Sequence, residues 1–144
     1  MKYILRFFYI VLQFTWGALQ NAAGFFMFLK HIKCRHAFYH GAIVTYHRGD
    51  WGGISLGAFI FVNEKRGEEW YKSATVHEYG HTLQSLLLGP LYLLVIGLPS
   101  FIWCNSKKWI AYRKDNDKSY FDLYCEKWAN VWGEAVTHEG APEK

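Results

Sequence analysis

The chain has 144 residues, 51% of them apolar and 19% aromatic, with a formal net charge of +4. That length suits one domain, residues 1–144, with a core that needs no disulfides. The basic residues are scattered or follow the first apolar stretch, without the aromatic-interleaved basic stripe of a nucleic-acid groove; nucleic acid is excluded as the natural partner, and an anionic membrane surface is the easier one to argue.

The three cysteines, Cys34, Cys104 and Cys125, are far apart and form no C-x-x-C pair. A Cys-type zinc site is therefore not expected. Small buried thiols in a reducing compartment are expected instead, with the chain facing the cytoplasm.

In chain order, the first element is an apolar helix over residues 3–29, with Arg6 as its only charge. It is long enough to anchor in a bilayer about 30 Å thick. Gln13, Gln20, Asn21 and two glycines weaken it as a spanning helix, and a buried or interface-lying helix reads equally well. If it spans, Lys30, Lys33 and Arg35 outnumber Lys2 and Arg6, which places the rest in the cytoplasm. "HIKCRHAFYHG" follows as a basic connection. "AIVTYH" and "ISLGAFIFV", separated by "RGDWGG", read as a β-hairpin over 42–62. "NEKRGEEWYK" reads as a solvent loop.

A helix is expected from about Ser73 to Leu88, stopped by Gly89-Pro90. "LYLLVIGLPSFIW" is apolar on all sides, and residues 82–106 carry no charge; such a stretch is either wrapped inside the domain or placed in lipid. Residues 105–119 read as exposed. A last helix runs from about Tyr120 to Trp132 and ends at Gly133, and the tail from Thr137 looks frayed. The aromatic excess, including Trp103, Trp109, Trp128 and Trp132, reads chiefly as core. Together these elements predict an α+β fold, with its chemical core over 73–133.

"HEYGH", residues 77–81, carries the chemistry. His77 and His81 lie one helical turn apart and can aim two imidazole nitrogens at one point. Glu78 sits about 100° round the helix from His77, badly placed as a ligand but well placed to hold a water. That is the arrangement of a zinc-activated water with a carboxylate general base. The competing structural reading is a capping box, Thr75-x-x-Glu78, although Ser73 offers an earlier N-cap.

A third ligand is needed. Gln84 and Leu87 stand where a metzincin would have a glycine and a third histidine. Asp115, Asp117, Asp122, Glu126, Glu134, His138 and Glu139 remain, and only Glu126 lies mid-helix with a partner one turn on, Asn130. One of that pair can bind metal while the other bonds a ligand imidazole. Gly80 inside the helix suggests close approach of another element, such as the Glu126 helix.

"HEYGH" followed on a later helix by "EKWAN" resembles the zinc signature of the gluzincins, the thermolysin-like metallopeptidases. The resemblance implies His77, His81 and Glu126 as Zn2+ ligands and Glu78 as general base. It makes Asn130 the residue behind a ligand imidazole, where the family has an aspartate. It also implies a substrate-pairing edge strand, matched here by Gly57, Ala58, Phe59 and Ile60, although the same run reads as a core hairpin strand. Residues 50–133 are in addition similar to a group of short bacterial proteins with this HEYGH core, which implies a minimal gluzincin-type fold.

The expectation is a zinc-dependent metallopeptidase acting on an extended peptide, with Tyr120, Tyr124, Tyr112 or His138 as oxyanion donor. The alternative is a catalytically silent, zinc-stabilised and membrane-associated binding module. An intramembrane protease would need an aspartate in an apolar helix, which is absent. His31, His36, His40 and His47 read as surface residues.

Overall fold

The computed structural model describes residues 2–142. Among them, six α-helices and one four-stranded mixed sheet make an α+β fold. The helices are α1 (Lys2–Thr15), α2 (Ala18–Lys30), α3 (Glu68–Leu88), α4 (Leu98–Asn105), α5 (Lys107–Asp115) and α6 (Tyr124–Thr137). The strands are β1 (Arg35–Tyr39), β2 (Ala42–His47), β3 (Ile54–Leu56) and β4 (Phe59–Asn63).

The sheet corrects the expected 42–62 hairpin. Its order is β1-β2-β4-β3, and β2 runs parallel to β4, with His47 beside Asn63. The true hairpins are β1–β2 and β3–β4, each closed by a two-residue turn. His40 and Gly41 both have positive φ, and Gly57 has φ 62, as primed turns require. β1 was hidden inside the basic connection because only its turn, not its composition, marks a strand.

The loop 48–53 between β2 and β3 is clamped at the ends of the parallel pair. His47 Nε2 donates to Gly52 O at 2.9 Å, while the Gly49 amide donates to His47 Nδ1 at 3.1 Å. Both bonds hold only for the neutral imidazole. Asn63 Nδ2 donates to Gly49 O and Trp51 O, and Trp51 stacks on His47 at 3.5 Å between centroids. His47 is thus buried rather than a surface residue.

The apolar run 3–29 is two helices rather than one. They break at Trp16–Gly17, where Asn21 Nδ2 reaches back to Gly17 O. Among the described residues no single helix is long and apolar enough to cross a membrane.

α3 begins at Glu68, not Ser73, because Gly67, at φ 97, breaks the chain there and two glutamates follow in the first turn. "NEKRGEEWYK" is therefore a 3-10 turn plus the first turn of α3, not a solvent loop. Thr75 lies inside the helix and donates to Tyr71 O, which removes the capping-box reading. The helix stops at Gly89, as expected.

α6 starts at Tyr124, four residues later than the sequence suggested, and runs through Gly133 to Thr137, five residues past Trp132. Gly133 does not stop the helix, because it is used for packing. A Cβ at Gly133 would lie 2.2 Å from Val76 O, and one at Gly80 would lie 1.8 Å from Ala129 O. The two glycines bring the backbones of α3 and α6 into direct contact. The tail is not frayed as expected: Ala141 is buried, and its amide donates to Glu134 Oε1. Of the four tryptophans assigned to core, only Trp103 is buried; Trp109 and Trp128 are exposed.

Gly80→Ala must therefore push α6 away and is expected to destabilise the fold by about 1–3 kcal/mol, as overpacking does. Urea unfolding measures this, and an unshifted midpoint contradicts the contact.

A second expectation concerns acid. Burial holds the pKa of His47 below the ordinary imidazole value, so the unfolded chain takes up a proton before the folded one does. The stability carried by neutral His47 is present above about pH 6.5 and is lost as pH falls below it. The unfolding midpoint of His47→Gln should fall less than that of the wild type between about pH 7 and about pH 5. Equal slopes would reject the account.

Candidate metal centre

α3 supplies two of the three convergent side chains and α6 the third. The central part of α3, from Ala74 to Thr82, is buried on all sides. It carries Thr75, His77, Glu78, His81 and Thr82 where a core helix would carry aliphatic residues. Buried polar groups of this density need partners or a ligand.

His77 Nε2 lies 3.1 Å from Glu126 Oε2, and His81 Nε2 lies 3.3 Å from the same oxygen. All three donor atoms fall within 4.8 Å of one another. Ligands held about 2.0–2.1 Å from a tetrahedral ion are about 3.3 Å apart, so the spacing fits a shared divalent cation. Among the described residues this is the one His, Cys, Asp and Glu group whose donors converge. A buried His-His-Glu group able to hold a metal ion is thus present.

Each imidazole is oriented from behind by an amide. His77 Nδ1 donates to Asn130 Oδ1 at 2.6 Å, and Asn130 Nδ2 donates to Pro142 O at 2.8 Å. His81 Nδ1 donates to Gln84 Oε1 at 2.7 Å, and Gln84 Nε2 donates to Cys125 O at 2.8 Å. In both cases the amide nitrogen is occupied by a carbonyl, so its oxygen must face the ring. Both Nε2 atoms are thereby turned toward Glu126. Gln84 was missed as a functional residue. The signal was its place three residues after His81 on the same helix, one turn on.

The electrostatics follow from this crowding. Burial alone would raise the pKa of Glu126, but the nearby His81 and the bonds from both imidazoles hold it well below the usual carboxylate range. Burial opposes charge on His81, yet Glu126 outweighs that and raises its pKa. Glu78, unlike Glu126, is raised, chiefly by burial.

Glu78 stands where two cavities meet. One, about 630 Å³, is lined by Gly53, Arg66, Trp70, His77, Glu78 and Tyr120 among others. The other, about 160 Å³, runs between β3 and residues 92–105 and reaches Glu78 and His81. Gly53 lies close against Glu78, since a Cβ on it would lie 2.6 Å from Glu78 Oε1.

Of the four oxyanion candidates, only Tyr120 lines both cavities. Burial, then the charge of Glu126, raises its pKa and keeps the hydroxyl protonated. Tyr124 donates to Val95 O, Tyr112 is exposed, and His138 caps α6 in the left-handed conformation beside α1. The other acidic candidates lie elsewhere: Asp122 accepts from the Ser119 amide, and Glu134 binds the tail.

The run Gly57–Ile60 is corrected as the edge strand. Gly57 and Ala58 form the turn, while Phe59 and Ile60 lie in β4, which is paired on both sides. The sheet edge beside Glu78 is β3.

No protein-family model, no curated protein and no solved structure matches this chain. The likeness to gluzincins therefore stands on "HEYGH" and Glu126, with Asn130 a departure from the family's aspartate.

Dialysis against a divalent transition metal should load about one ion per chain, a load that Glu126→Ala loses. Gln84→Ala should keep the site but weaken affinity about 10–100-fold. Elemental analysis and competition with a chelator read both, and unchanged loading in Glu126→Ala would reject the site.

Proposed function

We propose that the chain is a zinc-dependent metallopeptidase that hydrolyses extended peptides. The observation that supports this most is the meeting of His77, His81 and Glu126 beside Glu78, at the junction of two cavities. Two nitrogens and one carboxylate oxygen suit zinc, with a coordination position left for solvent. Bound there, the ion supplies Lewis acidity and a water acidified toward neutral pH.

The chain's own residues do the rest. Glu78 accepts the proton of the attacking water and passes it to the leaving amine. Tyr120, kept protonated, donates to the oxygen on which negative charge develops. Asn130 and Gln84 hold the imidazoles in one tautomer. β3 offers a sheet edge along which an extended backbone can pair, so binding is carried by main-chain hydrogen bonds.

A second reading, a metal-stabilised module without turnover, is favoured by one observation. Ala141 and Pro142 wall the larger cavity beside His77, with Pro142 O bound to Asn130. One experiment separates the two readings. On a diverse peptide library the wild type should show chelator-sensitive cleavage. Glu78→Gln should retain its metal and lose about 10²–10⁴-fold in rate, and Tyr120→Phe about 10²–10³-fold. A metal-loaded wild type that cleaves nothing sinks the peptidase reading, and full turnover in Glu78→Gln sinks the role of that residue.

A further inference from the structure

α1 and α2 are built the wrong way round for water. Their buried side chains are chiefly polar: Gln13, Gln20 and Asn21, with Tyr9 the one large ring. Their outer faces are apolar, with Phe7 63% and Phe26 65% exposed. A helix packed on a soluble domain shows the reverse pattern. The inward polar groups are satisfied: Gln13 Nε2 donates to Thr82 O at 2.9 Å, Gln20 Nε2 to Ser85 Oγ at 2.8 Å, and Asn21 Oδ1 accepts from the Ala58 amide at 2.9 Å.

A second apolar surface lies over residues 87–102, where Leu87, Leu91, Leu94, Leu98 and Phe101 are exposed. The two surfaces meet. Trp16, at the break between α1 and α2, packs so tightly on Gly89 that a Cβ there would lie 2.3 Å from its ring. Gln20 Nε2 also donates to Gly89 O at 3.0 Å. The exposed apolar faces of the two regions are thus joined at Trp16 and Gly89, and contiguous apolar surface of this kind marks a binding face.

Charge identifies what covers it. Residues 1–49 and 79–114 contain no Asp or Glu. Lys30 ends α2 and Lys33 follows it, and Lys107 and Lys108 follow α4, so both apolar segments end in lysines. A second copy of the chain would bring these like charges together. Anionic headgroups would neutralise them. α1 is 14 residues long, about 21 Å against a hydrocarbon core of about 30 Å.

We propose that this face is seated in one leaflet of an anionic bilayer, with α1, α2 and residues 87–102 lying in the interface without crossing it. The inward polar contacts belong to that setting, since lipid offers the backbone and side chains no water to bond. The smaller cavity, lined by Ile54, Leu93 and Phe101, leads from this face to Glu78. On the peptidase reading, the substrate is then an extended segment lying close to the membrane.

Flotation of the full chain with phosphatidylcholine vesicles, with and without phosphatidylglycerol, tests the seat. The chain should float with both and bind the phosphatidylglycerol vesicles more tightly, an advantage that high salt removes. Changing Lys30, Lys33 and Lys107 to Gln should cut that advantage about fivefold per lysine. Phe7→Glu with Leu94→Glu, both exposed positions, should weaken partition to either vesicle at least about tenfold. Wild-type chain that stays at the bottom of both gradients overturns the proposal. So does a concentration-dependent dimer that excludes vesicles. Flotation of Glu78→Gln equal to wild type, without cleavage of a soluble peptide, would leave the seat standing apart from the catalytic reading.

Discussion

The site depends on the contact between α3 and α6. Gly80 against Ala129 and Gly133 against Val76 leave no side chain between the two helices at their crossing. Only at that separation can a glutamate, a residue with a short reach, place a carboxylate oxygen within 3.1 and 3.3 Å of two imidazoles on the neighbouring helix. The glycines cost helix propensity, about 1 kcal/mol each relative to alanine. That loss is local and small beside what it positions. The same crossing seats Asn130 behind His77 and brings Cys125 O to Gln84.

Glu126 is fully buried, and desolvating a carboxylate costs several kcal/mol even after relaxation, roughly the scale of a small domain's whole stability. The two imidazoles offset this only when one of them holds a proton. A divalent cation would replace that proton and answer all three donors together, so metal binding and proton release are coupled here. The two amides matter for the same reason. Asn130 and Gln84 each spend their NH2 on a carbonyl and turn an oxygen to the ring, which fixes the hydrogen on Nδ1 and frees Nε2. An amide does this with less electrostatic pull than a carboxylate.

How much of this could be read in the chain follows from range. The spacing of His77, Glu78 and His81 and the pairing of Glu126 with Asn130 are set within one or two helical turns, while Gly80 betrayed a distant contact only by its cost in a helix; the convergence of His77, His81 and Glu126 and the contact at Gly80 match the geometry found. Gln84 was visible at the same range but was weighed only as a departure from a metzincin pattern. The sheet was not legible at all in its pairing. Nothing in "AIVTYH" or "GAFIFV" shows that β2 and β4 run parallel, because that pairing is settled by the clamped loop 48–53 and the β3 hairpin inserted between them. The helix starts failed for a different reason: Gly67 and Gly133 look alike as punctuation, yet one has a positive φ and breaks the chain while the other is an ordinary helical residue used for packing.

The aromatic and apolar excess was misplaced as core: much of it lies on the exposed faces of α1, α2 and residues 87–102. In α1 and α2 the polar residues that weakened the run as a spanning helix are the ones that hold it to the protein. Asn21 joins the break at Gly17 to the turn at Ala58, and Gly24 lets α2 approach Leu56 O so closely that a Cβ there would lie 2.4 Å away. Leu56 ends the edge strand that lines the smaller cavity beside Glu78. The apolar helices are therefore tied, through these two close contacts, to the strand that lines the smaller cavity beside Glu78.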